Sequence, residues 1–320
     1  MKIYGRLPMR DGYGKALLKM CEADEPIMVL DADVAKSTRT VWVRDKYPEH
    51  FMDMGISEQD MVGTAAGLAL GGVTSFASTY CVFLCGRAWD QIRTTICYNN
   101  VNVKFGGAHA GISVGPDGAT HQALEDIALM RVLPHMTVLT PCDAIETEKA
   151  TLAAAKMKGP CFIRFGREPV PVITTPDDPF AIGKATILRE GTDVTLIGVG
   201  PMTYKSWRAA EQLEKHGVSA EVINLSSVKP LDTDTILKSV KKTGCCIVSE
   251  EHQMAGGAFG AVAEFLAKTY PIPMGQVGVN DSFGESGQPD ELLDKYGLMG
   301  RDIAIEAQEV IARSQKKRRR

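Results

Sequence analysis

The 320-residue chain has eight cysteines, at positions 21, 81, 85, 97, 142, 161, 245 and 246, and no C-x-x-C pair among them. That spacing argues against a zinc site or a disulfide frame. Most of the eight lie in apolar runs, so they read as reduced, buried, cytosolic residues. Long apolar runs are missing too. No stretch approaches the roughly 20 apolar residues of a membrane span, and the opening MKIYGRLPMRDGYGK lacks the apolar core of a signal peptide. A cytoplasmic location is therefore expected. Nor does one sign of charge dominate: 36 Lys and Arg against 39 Asp and Glu leave a net charge of −3. Such a balance gives no reason to expect nucleic acid or a membrane surface as a partner. The only strong charge run is KKRRR, residues 316–320, read as a frayed basic tail from 315 onward.

What is present is the make-up of a globular protein with a sizeable core, 44% hydrophobic and 23% charged, and the length suits two domains. Short apolar runs alternate with amphipathic stretches. Strands are expected at 26–33, 51–56, 73–79, 102–110, 137–141 and 161–166, and helices at 57–70, 85–97, 123–133 and 143–157. Alternation of this kind predicts a doubly wound α/β domain on a parallel sheet. The proline-rich, aperiodic stretch 167–183 reads as an interdomain connection. A second α/β series follows, with strands at 194–200, 220–225, 245–251 and 274–279.

Ligands of open α/β sheets gather at the carboxyl ends of strands. The polar residues expected there are Asp31 and Asp33, Glu58, the 78–83 turn, His109, and Arg164 or Arg167. In MGISEQDMVGTAAGLAL, residues 54–70, Ser57 and Asp60 fit a capping box. Glu58 then has no capping task, and it is either a macrodipole acid or a chemical group. The densest polar cluster is GGAHAGISVGPDGATHQ, residues 106–122. Two histidines and an aspartate on one long glycine-rich loop read as a polar substrate site. The second domain offers Glu250, Glu251 and His252 at a strand end, with His252 read as structural and Cys245–Cys246 as packed.

The ordered series ISEQDMVGTAAGLAL, STYCVF, RAWDQIR, GISVGPDGATHQALEDIALMR and TPCDAIETEKA resembles the pyrimidine-binding domain of transketolases. PMRDGYGKAL and DADVAKST match the same domain, and VKPLD with VSEEHQMAGGAFG resembles the transketolase C-terminal domain. The resemblance implies a pyrimidine-binding domain over 1–170, a linker over 171–183 and a mixed-sheet C-terminal domain over 184–314. The GDG…Asn signature of a full transketolase's diphosphate-binding domain does not occur. The expectation is therefore the C-terminal half of a split transketolase. A separate N-terminal subunit would hold the diphosphate and Mg²⁺, with no metal ligand on this chain, in a heterotetramer of two halves each.

The resemblance also implies roles. Glu58 would bond to the pyrimidine ring nitrogen of thiamine diphosphate and relay its proton. Tyr80 and Phe83 would stack on that ring, although the family usually has Phe at the first position. Asp33 would lie near the cofactor. His109, Asp117 and His121 would meet the hydroxyls or phosphate of the sugar, with His121 also catalytic. Arg10, Ser37 and Arg167 would hold the acceptor's phosphate. The implied reaction moves a two-carbon ketol unit from a ketose phosphate to an aldose phosphate. The alternatives are a subunit like 1-deoxyxylulose-5-phosphate synthase, one like the beta subunit of 2-oxo acid dehydrogenases, or an orphan regulatory subunit.

Overall fold

In a computed structural model describing residues 1–318, the apolar runs become strands of two α/β sheets. In chain order the strands are β1 Arg6–Pro8, β2 Ile27–Asp31, β3 Phe51–Asp53, β4 Thr74–Tyr80, β5 Val103–Ala108, β6 Thr137–Leu139, β7 Cys161–Arg164, β8 Pro169–Pro171, β9 Thr186–Arg189, β10 Val194–Gly198, β11 Ala220–Asn224, β12 Ser227–Lys229, β13 Cys246–Gln253 and β14 Met274–Val279. The first large sheet runs β12-β6-β7-β5-β4-β2-β3 and the second β14-β13-β10-β11-β9. Six strands of the first sheet are mutually parallel. Helices cover both faces, which is why β5, β6 and β7 are buried throughout and largely apolar, with Lys104 and Arg164 buried among them. The second sheet is mixed, because β9 pairs antiparallel with β11.

The two halves are joined more closely than a linker implies. β12 comes from the second half, yet it pairs antiparallel with β6 at the edge of the first sheet. Residues of both sheets, among them Phe105, Val138, Ile197, Ile223 and Val248, share one apolar cluster. The stretch expected as a plain connection begins with β8, which forms an antiparallel ribbon with β1. Asp143 then fastens the chain beyond it. Its carboxylate caps the helix Ala144–Lys156 through the Glu146 amide at 2.9 Å and accepts the Ile173 and Thr174 amides at 2.7 Å each. Glu146, buried, accepts from the Cys142 amide and from Asn224 and Ser226 of the second half. Burial raises its pKa, and these donors work against that rise.

Two expectations need correction. The single helix over 85–97 is in fact segmented. An α-helix Cys81–Arg87 is followed by the turn Trp89–Gln91 and a π-helix Ile92–Cys97. Ala88, at φ −104° and ψ 12°, breaks the run, and Trp89 Nε1 donates to the Leu129 carbonyl at 3.0 Å. The wide turn keeps Ile92, Ile96 and Cys97 buried together. The other concerns the basic end. The helix Gly300–Arg318 carries the backbone well into KKRRR, while Arg319 and Arg320 lie outside the described residues. All eight cysteines are buried, and none forms a disulfide among the described residues.

Candidate active site at the strand ends

Parallel register sets the site. Asp31 of β2 pairs with Ser78 of β4, and Ser78 with Gly106 of β5, so these strands end at one edge of the sheet. At or just beyond these ends lie Asp33, Tyr80 and His109. The Tyr80 hydroxyl donates to Ser37 Oγ at 2.9 Å, and its ring stacks on His109 at a centroid distance of 4.1 Å. Phe83, one turn into the next helix, lies 5.8 Å from Tyr80. His121 meets Phe83 edge-on at 5.1 Å and Tyr80 at 5.9 Å. Two aromatics from one helix start thus draw together two histidines that are distant in sequence.

Glu58 opens the helix Glu58–Leu70. The capping box expected beside it does not form. Ser57 occupies the N-cap position without a side-chain capping bond, and its amide donates to the Gly55 carbonyl at 2.8 Å. With that donor occupied, Asp60 has no reciprocal bond to accept. Glu58 itself is buried, with 5% of its side chain exposed, and its Oε1 accepts from Arg87 Nη1 at 2.9 Å. The Arg87 guanidinium carbon sits 4.0 Å above the centre of the Phe83 ring. Sequence reasoning missed Arg87. The signal was there: it follows Phe83 by four residues, one helical turn, which puts the two side chains on one face.

The other side of the histidines is cationic. Arg10 Nη1 donates to the Ser37 carbonyl at 3.1 Å, while its buried Nε has no partner. Burial, then the nearby Arg39, lowers the Arg10 pKa. His109 Nδ1 is likewise buried without a partner. Burial, then the charges of Arg10 and Arg167, pushes the His109 pKa down to about 3, so its ring is neutral near neutral pH. Arg167 donates from Nη1 to Asp117 Oδ1 at 3.0 Å and to the Val114 carbonyl at 3.2 Å, and Nε faces Glu168 at 3.3 Å. Arg39 is neutralised by Asp11 at 2.7 Å. Among the described residues, Arg10 has no such carboxylate partner within salt-bridge range.

Asp33 stands apart from this group. It is exposed, in the left-handed region at φ 61°, and holds no bond to the aromatic cluster among the described residues. Asp31, two residues earlier, shapes the loop instead. Its buried carboxylate accepts from the Val34 amide and from the hydroxyls of Thr38 and Thr40 at 2.7 to 2.8 Å, and burial lifts its pKa to about 6. These bonds present Ser37 to Tyr80.

The second half contributes from β13. Glu251 Oε2 accepts the Ser113 amide at 3.2 Å, and Gly111, at φ 85°, leaves room where a Cβ would strike that carboxylate. The Gln253 amide donates to the Leu124 carbonyl at 2.7 Å, and His252 Nε2 accepts the Ala128 amide at 3.3 Å. Arg164 makes a buried two-pronged pair with Asp126 and donates to the Glu251 carbonyl at 2.7 Å. Both ends of the loop that carries Asp117 and His121 are therefore gripped by the second half. Glu250, by contrast, caps the helix Ala258–Thr269. No group of three or more His, Cys, Asp or Glu side chains suited to a metal ion occurs among the described residues.

The fold and this edge define a two-domain α/β protein whose site joins a buried carboxylate, an aromatic wall and a cationic pocket. The chain belongs to the transketolase family. The family described as the transketolase pyrimidine-binding domain matches residues 6–172, and the transketolase C-terminal domain matches 183–303. A Methanocaldococcus jannaschii protein described provisionally as a transketolase C-terminal section is 42% identical over 299 residues, covering 92% of this chain and 94% of that one. A 6-deoxy-6-sulfo-D-fructose transketolase subunit of a Clostridium species is 38% identical, covering 95% of each chain. The solved structure of a split gene transketolase, described as an inactive beta4 tetramer, superimposes with a TM-score of 0.89 at 44% identity, covering 97% of this chain and all of that one.

Proposed function

We propose that this chain is the C-terminal subunit of a two-chain transketolase, moving a two-carbon ketol unit between phosphorylated sugars. A separate N-terminal subunit would supply the diphosphate and Mg²⁺ site of thiamine diphosphate, two of each chain forming the working assembly. The observation that carries the reading is the buried Glu58 carboxylate, joined through Arg87 to the Phe83 ring, one aromatic wall away from two partnerless buried nitrogens on Arg10 and His109. A carboxylate next to an aromatic face suits a flat ring bearing a hydrogen-bonding nitrogen, and the orphaned nitrogens suit the oxygens of a polar ligand. These features fit the cofactor and substrate that the family implies.

When bound, thiamine diphosphate supplies the nucleophilic carbon and the electron sink for ketol transfer. Glu58 holds and moves a proton at the ring nitrogen, a general acid–base task open to a carboxyl group positioned on a helix start. Phe83 and Tyr80 fix the ring's orientation by area, without polar cost. His109, neutral under its neighbouring arginines, and His121 on its restrained loop meet sugar oxygens, with Asp117 beside them. Arg10, Ser37 and Arg167 receive the phosphate, and Asp33, exposed at the rim, lies toward the partner.

Reconstitution tests the reading. The chain alone should show no ketol transfer from xylulose 5-phosphate. Adding the N-terminal subunit, thiamine diphosphate and Mg²⁺ should produce it. Turnover by the chain alone would sink the two-chain assignment. The relative described as an inactive tetramer supports the expected silence of the isolated half.

A further inference from the structure

Sequence reasoning did not assign Arg87, and its geometry joins a surface side chain to a buried one. The guanidinium is 49% exposed, yet it donates to a carboxylate that is only 5% exposed. At the same time it lies 4.0 Å over the Phe83 ring. Its backbone is tied in place, since Gln59 Nε2 donates to the Arg87 carbonyl at 3.1 Å. A guanidinium is flat, carries N–H donors along its edge and stacks on aromatic faces. It therefore meets both demands of this seat, a plane over Phe83 and a donor to Glu58, that a flat nitrogen heterocycle would meet.

We infer that Arg87 is an internal occupant of the pyrimidine seat, which must swing into solvent before an aminopyrimidine can stack on Phe83 and pair with Glu58. The inference rests on the proposed role of Glu58. Arg87 can leave because half of its side chain already faces water. Glu58 cannot follow it, and a buried carboxylate stripped of its donor is costly. The exchange is therefore favourable only for an incoming ring that brings a hydrogen on nitrogen. In this way Arg87 screens ligands of the isolated chain and keeps Glu58 paired while the seat lacks a ring.

The test titrates 4-amino-2-methylpyrimidine into the chain by NMR. Wild type, Arg87→Ala, Arg87→Lys, Glu58→Gln and the Arg87→Ala/Glu58→Gln double variant are compared. A seat filled nine-tenths of the time by Arg87 weakens apparent binding about tenfold. Arg87→Ala should thus bind the ring roughly tenfold tighter than wild type, with Arg87→Lys in between, and the double variant should lose the gain. Millimolar guanidinium ion should compete with the ring in Arg87→Ala and have little effect on wild type. Equal or weaker binding by Arg87→Ala, with Glu58→Gln still harmful, overturns the occupant role and leaves the Glu58 reading standing. Binding that ignores Glu58 in every background, or no binding in any, removes both. Arg87 is half exposed at a helix end, so its replacement leaves the fold intact.

Discussion

The His109 ring lies on the Tyr80 ring at 4.1 Å with 29° between their planes, and its Nδ1 is buried without a partner. Stacking of this kind is compatible with a neutral imidazole and unfavourable to a charged one beside Arg10 and Arg167. The sign of the resulting pH dependence follows. The folded-state pKa, about 3, lies below the ordinary value of 6.5, so the unfolded chain binds the proton first. Stability from this group is complete above pH 6.5 and is lost as pH falls toward 3, by at most about 1.4 kcal/mol per pH unit. His109→Asn keeps a residue suited to the left-handed φ of 57° and cannot titrate there. Denaturant midpoints measured from pH 7 to pH 4.5 should fall less steeply for the variant than for wild type. Parallel slopes would show that His109 titrates normally.

The grip of β13 on the loop gives a second prediction. Glu251 accepts one backbone amide, that of Ser113, and a charged acceptor of this kind contributes on the order of 1.5–3 kcal/mol. Glu251→Gln keeps the volume and removes the charge. Hydrogen exchange at the amides of residues 111–122 should speed up by roughly ten- to a hundredfold, an opening cost of about 1.4–2.8 kcal/mol. Exchange in β4 and β5 should stay as it was. An unchanged loop would mean that the Gln122 amide, bonded to the Ile112 and Glu285 carbonyls, holds it unaided.

Much of this was legible beforehand, and the lapses have physical causes. The buried parallel strands announced themselves as apolar runs, and the strand-end rule directed attention to Glu58, the 78–83 turn and His109. The helix Met9–Glu22 was not singled out, because Gly12 and Gly14 lower its helical signal. Gly12 is there for contact: a Cβ would run into the Ala144 carbonyl of the neighbouring helix. The capping box at Ser57 fits the spacing rule, but that rule does not reveal that Gly55 already takes the Ser57 amide. β12 could not be read at all, since its partner β6 lies some 90 residues earlier in the chain. Arg87 escaped for a related reason: its partner Glu58 sits on another helix.

A third prediction concerns the cationic pocket. Arg167 is held by Asp117 and the Val114 carbonyl with 29% of its side chain exposed, so it is positioned but not sealed. In the reconstituted enzyme, Arg167→Ala should raise KM for phosphorylated sugars by about tenfold, equivalent to about 1.4 kcal/mol. KM for unphosphorylated analogues should change little. Equal changes for both substrate classes would remove Arg167 from the phosphate site and leave it as a support for Asp117.

The last prediction falls on Glu58. Glu58→Gln keeps the shape, and its amide oxygen can still accept from Arg87, so the helix Glu58–Leu70 and its packing through Met61, Val62, Ala65 and Ala66 should persist. Thermal midpoints should stay within a few degrees, since no core volume changes. An amide cannot exchange a proton as a carboxyl does, however, and loss of a positioned acid–base group lowers turnover by roughly 10²–10⁴-fold. The loss should appear in kcat, with KM for the sugar little altered, because Glu58 faces the ring seat and the sugar oxygens face His109 and His121. Near-normal kcat in Glu58→Gln would end the proton-relay role. A raised KM with kcat preserved would instead make Glu58 a binding group for the substrate.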